Sequence, residues 1–136
     1  MSASWALQQA IFATLCSSDD VKDAVGDPPR VFDTPPRGTA FPYIVIGDDT
    51  ESDWSTATED GSEHAVIIHI WSCADGHKEA KLVADAVRDT LDGAELSVTG
   101  QALIGIRHLE TTFTREPDGE TIHAALRFRA VLEPQA

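Results

Sequence analysis

Residues 120–133 read Glu120-Thr121-Ile122-His123-Ala124-Ala125-Leu126-Arg127-Phe128-Arg129-Ala130-Val131-Leu132-Glu133. Ile122, Ala124, Leu126, Phe128, Ala130 and Leu132 occupy every second position, with Thr121, His123, Arg127, Arg129 and Glu133 between them. A period of two is the pleat of a β-strand, and it predicts one face in a core and the other toward water. Just upstream, Ala102–Arg115 supplies a second long strand, and Glu116-Pro117-Asp118-Gly119 joins the two as a hairpin. Setting Leu103, Leu109 and Phe113 on the same core face requires partners of opposite parity, as in a two-residue Asp-Gly turn. A Pro-Asp-Gly loop with a bulge would give the other register, and the pattern favours the first.

Working outward, His64–Trp71 is rich in Val and Ile but alternates poorly, which predicts a central strand covered on both faces. Asp75 offers an N-cap to a helix whose apolar positions Ala80, Val83, Ala84, Val87 and Leu91 follow 3.6 periodicity and which Asp92-Gly93 closes. A short strand is expected near Glu95–Val98. Tyr43–Gly47 is another short strand, ended by Gly47-Asp48-Asp49. At the front, Leu7, Ile11 and Leu15 at fourfold spacing, flanked by Trp5, Phe12 and Cys16, predict a helix from Ser4 to Cys16. Ser18 caps a second, short helix that stops at Gly26. Asp27–Pro42 holds five of the seven prolines and reads as an extended arm, regular only around Arg30–Asp33. The sum is an α+β fold: a mostly antiparallel sheet with a long C-terminal hairpin, packed against an N-terminal helix and a central amphipathic helix. A single domain over residues 1–136 is expected, because a chain of this length buries enough surface for one core.

With 10 basic and 23 acidic residues the formal net charge is −13, so clustered cations for phosphate backbones or anionic membranes are lacking. No apolar run is long enough to span a bilayer, and the N-terminus does not read as a secretory signal, which makes the expected setting cytoplasmic. Catalytic motifs are also missing. Cys16 and Cys73 form no C-x-x-C pair, and His64 and His69, five apart on a strand, point to opposite faces. His108 and His123 lack a third ligand fixed by spacing, and neither a phosphate-cradling glycine pattern nor a nucleophile elbow occurs. The expectation is a protein that is not an enzyme and takes no cofactor or metal.

The charged extensions point to assembly instead. Between Asp48 and Glu63 lie seven carboxylates and no basic residue, so this stretch reads as a solvated loop, mobile in a free subunit, with Trp54 its large apolar anchor. Candidate contacts with other copies or partners are Arg37 in the arm, Asp48, Asp49, Glu51, Asp53, Trp54, Glu59 and Asp60 in the acidic stretch, and Arg115, Glu116 and Asp118 at the hairpin. Arg127 and Arg129 are candidates too, with pairing to acidic residues on another strand or another subunit as the simplest account.

The order of segments resembles a known family. Pro42-Tyr43-Ile44-Val45-Ile46-Gly47, a polar loop, Ala65-Val66-Ile67-Ile68-His69-Ile70-Trp71-Ser72, Gly76 and the Glu79-Ala80 helix resemble the tail terminator, or tail completion, proteins of long-tailed phages and gene transfer agents. The closing Phe113-Thr114-Arg115, Asp118-Gly119, Thr121-Ile122-His123 and Arg127-Phe128-Arg129-Ala130 resemble that family's last hairpin. The resemblance spans roughly residues 4 to 133. It implies a small α+β subunit of a hexameric ring on the head-proximal end of the tail tube. Such a ring ends tube polymerisation and joins the tail to the head connector or stopper, with DNA only in transit through the bore. The implied partners are further copies of the chain, the tail tube protein and the connector, with no membrane; the implied location is the cytoplasm during assembly and then the particle's tail. The alternatives are another head–tail joining subunit, a stopper or connector, and, from a different class, a small-molecule-binding α+β domain.

Overall fold

The computed structural model describes residues 2–135. Helix α1 (Ala3–Ser17) begins where the Ser2 side chain accepts the Trp5 N–H, and α2 (Asp19–Val25) begins where the Ser18 hydroxyl accepts the Val21 N–H. Both helix ends thereby satisfy a donor that the helix itself leaves unpaired. Strand β1 (Val31–Phe32) is the one regular piece of the proline-rich arm. The long strands are β2 (Tyr43–Asp53), β3 (Ser62–Ser72), β4 (Gln101–Arg115) and β5 (Ile122–Pro134), with α3 (Lys78–Leu91) between β3 and β4.

The sheet order is β1-β2-β3-β5-β4. β1 runs parallel to β2, and the other three pairings are antiparallel. The expected α+β class with a mostly antiparallel sheet therefore holds. All three helices cover one face. Against them the sheet presents Ile44 and Ile46 of β2, Val66, Ile68 and Ile70 of β3, Ile106 of β4 and the six expected residues of β5, all buried. From the helices come Leu7, Ile11 and Leu15 of α1, Val21 and Val25 of α2, and Val83, Val87 and Leu91 of α3. Burying each such side chain contributes about 1.5–3 kcal/mol, which is what holds two thin layers together.

Several expectations are corrected. β3 is central, but it alternates: His64, Val66, Ile68, Ile70 and Ser72 are buried, whereas Ile67, His69 and Trp71 are half-buried on a face no helix covers. Helix α3 starts at Lys78 behind His77 with no side-chain cap, so Asp75 does not cap it. Residues 94–98 form no strand; Leu96 and Val98 reach the core from an irregular segment. β2 does not end at Gly47 but continues to Asp53. Ladder pairs from Asp49–Val66 to Asp53–Ser62 turn most of the expected acidic loop into a β-hairpin. Charge ruled out a buried strand there, but not a strand with solvent on its outer edge.

The closing hairpin has the expected parity through a different loop. Glu116 donates its N–H to the Thr121 carbonyl at 2.8 Å, leaving the four residues 117–120 as the turn, and Gly119 takes φ 77° there, a region glycine enters without a Cβ clash. Four residues and two residues give the same parity, so Phe113 faces Ala124 and packs toward α3, where the Lys81 ammonium lies 5.2 Å from its ring centroid. Leu109 behaves otherwise. The register slips between His108 and Glu110 and again between Leu103 and Gly105, each slip being a β-bulge. The two skipped residues, Leu109 and Ile104, are exposed, so Leu109 is not in the core.

Candidate functional site

Register fixes where each candidate residue lies. Ser62 of β3 pairs with Leu132 of β5, and Ser72 with Ile122, so the β2–β3 tip and the β4–β5 tip occupy opposite ends of the sheet. Glu51, Asp53, Trp54, Glu59 and Asp60 cluster at the first end, all exposed. Arg115, Glu116 and Asp118 sit at the second. Tyr43, which follows the arm, pairs with Trp71, whose β5 partner is His123, so the end of the arm lies toward that second end as well. Arg37 is exposed on the arm, in a turn closed by the Thr39 N–H on the Pro36 carbonyl at 3.2 Å.

The acidic tip makes its hydrogen bonds within its own chain. Trp54 donates its N–H to the Gly61 carbonyl at 2.9 Å, Thr56 to that of Glu59 at 2.7 Å, and the Ser55 hydroxyl donates to Asp53 at 2.6 Å. The Trp54 ring lies over Gly61, where even a Cβ would come within 3.3 Å of it, yet 42% of the residue stays exposed. At the other tip Asp118 accepts the Glu120 and Thr121 N–H groups, each at 2.8 Å, and the Thr121 hydroxyl at 2.6 Å. These bonds hold its carboxyl below the usual range, the Thr121 hydroxyl having the largest effect. Arg115 donates to the Gly119 carbonyl at 2.9 Å. Both arginines of β5 pair within the chain: Arg129 donates through Nε and a terminal nitrogen to Glu63 at 3.0 and 2.7 Å, and Arg127 lies 3.4 Å from Glu110. The simplest account of these two, pairing across strands, is the one realised.

Asp48 and Asp49 part company. Asp49 accepts the Ser4 hydroxyl of α1 at 3.0 Å, on the helix-covered side. Asp48 stands in the bulge of β2 at φ 53°, the only non-glycine with positive φ among the described residues, and aims its carboxylate across the open sheet face at His69. The His69 Nε2 lies 3.1 Å from Asp48, its Nδ1 lies 2.7 Å from Nε2 of His123, and Nδ1 of His123 lies 3.8 Å from Glu116. Trp71 stacks on His123 with ring centroids 4.2 Å apart. This row escaped sequence reading because its members are far apart in the chain; a correct β3–β5 register would have placed His69 and His123 on one face. His64 is on the opposite face, as expected, fully buried with Nε2 on the Ser62 hydroxyl at 2.8 Å. Among the described residues no group of three or more His, Cys, Asp or Glu side chains is arranged to hold a metal ion.

A second surface also went unnoticed in the sequence. Trp5 and Phe12, one heptad apart on α1, are 46% and 43% exposed and rim a hollow of about 360 Å³ with Gln8, Gln9, Asp33 and Ile46. Their spacing marks the side of α1 turned away from its core stripe. Surface apolar groups of this size suit contact with another protein.

The family described as tail completion protein gp17 matches residues 9–133. The tail completion protein gp17 of Bacillus phage SPP1 is 25% identical over 127 residues, 93% of this chain and 92% of that protein. Among solved structures, a chain in the virion of a native gene transfer agent particle superposes with a TM-score of 0.90 at 30% identity, covering 97% of this chain and 98% of that one. The bacteriophage SPP1 gp17 structure superposes with a TM-score of 0.62 at 24% identity, covering 94% and 89%, a likeness of fold.

Proposed function

The chain belongs to the tail completion protein gp17 family, which is structural and not enzymatic, and from that premise we propose that it works as one ring-forming domain at the head-proximal end of a tail tube. It is a tail-associated structural component of a phage-like particle. In the proposed ring, of six copies, the subunit ends tube growth and offers the head connector a docking face, with DNA passing through the bore. The observation that carries this reading is the match over nearly the full length of a chain from an assembled gene transfer agent virion.

The geometry fits a subunit held between two partners. Its two hairpin tips lie at opposite ends of one sheet, one acidic and the other formed by Glu116–Thr121 near the end of the arm. A ring between a tube and a connector needs two such ends, and side-by-side copies need the lateral surfaces that the arm and the Trp5–Phe12 face supply. Net negative charge suits the bore, because carboxylates there repel phosphates in transit. Assembly would take place in the cytoplasm before the ring joins the particle.

Electron microscopy of the chain mixed with tail tubes tests the proposal: six-fold rings at one tube end, with arrested tube length, are expected. Rings that bind connectors but leave tube length unregulated would assign the chain to a stopper or connector instead. A chain that stays monomeric with tubes present would overturn the ring.

A further inference from the structure

The row Asp48, His69, His123, Glu116 crosses the open sheet face from β2 to the end of β4, and its hydrogens can be counted. Asp48 accepts from His69 Nε2, so that nitrogen carries a hydrogen and Nδ1 of a neutral His69 is a lone pair. His123 must then donate from Nε2 across the 2.7 Å contact, which leaves its own Nδ1 without a hydrogen. That bare nitrogen faces the Glu116 carboxylate at 3.8 Å, too far for a hydrogen bond and of the wrong character for one. One vacancy for a proton remains in the row.

We propose that the His69–His123 pair is a proton-binding site in which a single proton from solvent enters at Nδ1 of His123 and draws the Glu116 carboxylate into a charge-assisted hydrogen bond. The pair goes from neutral to singly positive, flanked by a carboxylate on each side. The row then reaches from the β2 bulge to the hairpin tip, and acidification fastens Glu116 at the base of that tip to the sheet face.

The surroundings support this assignment. Asp48 faces the pair from β2, and Asp33, which follows β1, shares a hollow with Asp48, His69 and Trp71. Glu116 faces it from the end of β4, while the β4 residue opposite His123 is the uncharged Thr114. Among the described residues neither Asp48 nor Glu116 pairs with a Lys or Arg, so no cation competes for them. The bulge fits the same assignment: it sets Asp48, a non-glycine at φ 53°, where its carboxylate meets His69. Burial holds His123 below the ordinary imidazole value, and positive charge on His69 would lower it further, against the pull of Glu116 and Asp48. His123 therefore takes its proton only in mildly acidic solution.

Nitrogen-15 NMR of the histidine rings in the full chain, titrated from pH 8 to 5, tests the proposal without reference to ring formation. Both His69 and His123 should show the Nε2–H tautomer at pH 8. His123 should gain its proton below pH 6.5, with the Glu116 carboxylate resonance following the same midpoint, and Glu116→Gln should lower that midpoint. An Nδ1–H tautomer of His123 at pH 8, or a midpoint unmoved by Glu116→Gln, would overturn it. So would saturable binding of zinc alone at micromolar concentration that is lost in His123→Gln, since the pair would then be a metal site.

Discussion

His64→Leu should change the acid stability of the protein while leaving its stability in mild alkali nearly untouched. His64 is fully buried on the core face of β3, its Nε2 bonded to Ser62, while its Nδ1 has no hydrogen-bond partner among the described residues. Burial holds its ring below the ordinary imidazole value; the carboxylates of Glu51, 3.9 Å away, and of Asp49 oppose that shift without reversing it. As pH falls through about 6.5, the unfolded chain takes up a proton that the folded chain still refuses. The contribution of neutral His64 is therefore fully present above pH 6.5 and is lost as pH drops toward the folded value. The limiting slope is about 1.4 kcal/mol per pH unit. Unfolding entropy near 2.1 cal/mol/K per residue gives about 0.29 kcal/mol/K for 136 residues, so one pH unit corresponds to up to about 5 °C in Tm. Leucine carries no proton and leaves only the half-buried Ser62 hydroxyl to find water. At pH 8 the variant should lie within about 1 kcal/mol of the parent, and at pH 5.5 it should have gained up to about 1.4 kcal/mol relative to it. His123 is shifted in the same direction, so part of the slope should survive and shrink further in the His64→Leu, His123→Gln double variant. Thermal denaturation at pH 8, 6.5 and 5.5 measures this. A gap between parent and variant that does not change with pH would refute the reasoning.

Phe128→Ala removes the largest fully buried side chain of the sheet and should cost about 3–5 kcal/mol in urea denaturation, with no rescue at any pH. Arg129→Ala, by contrast, should cost less than about 1 kcal/mol despite its two short bonds to Glu63, because both partners are more than a third exposed; a double-mutant cycle with Glu63→Ala isolates the coupling. Trp54→Ala, and separately Trp5→Ala with Phe12→Ala, should leave the Tm within a few degrees of the parent but, on the proposed function, reduce binding to tail tubes in electron micrographs, and the loss should persist at high salt because apolar burial is unscreened.

Strict alternation in β5 and the 3.6-residue stripe of α3 were enough to place the core, because both elements are amphipathic and each period matches one geometry. The order of segments was enough to suggest the family. What escaped was set by pairing between strands. Asp49–Asp53 look like loop residues when composition alone is weighed, yet β3 supplies hydrogen-bond partners for their backbone while their side chains stay in water. Leu109 alternates correctly with Phe113, and only a bulge removes it from the core. The expectation of an irregular loop over all of 48 to 63 fails for the same reason: like charges on a hairpin repel through solvent, too weakly to outweigh the ladder from Asp49 to Asp53. The histidine row needs four elements in register, and no local pattern announces it.

The two bulges of β4 bear on how the free chain behaves before it finds a tail. β4 forms the outer rim of the sheet, fifteen residues with no strand beyond it, and a straight rim of that length would be a template for indiscriminate stacking into fibres. The slips at Ile104 and Leu109 break the spacing of its amide and carbonyl groups twice, so an incoming flat strand would lose register after a few residues. Thirteen excess negative charges add mutual repulsion as copies approach. The free chain is thus protected from stacking on itself, and restoring an even rim by deleting Ile104 and Leu109 should release that restraint.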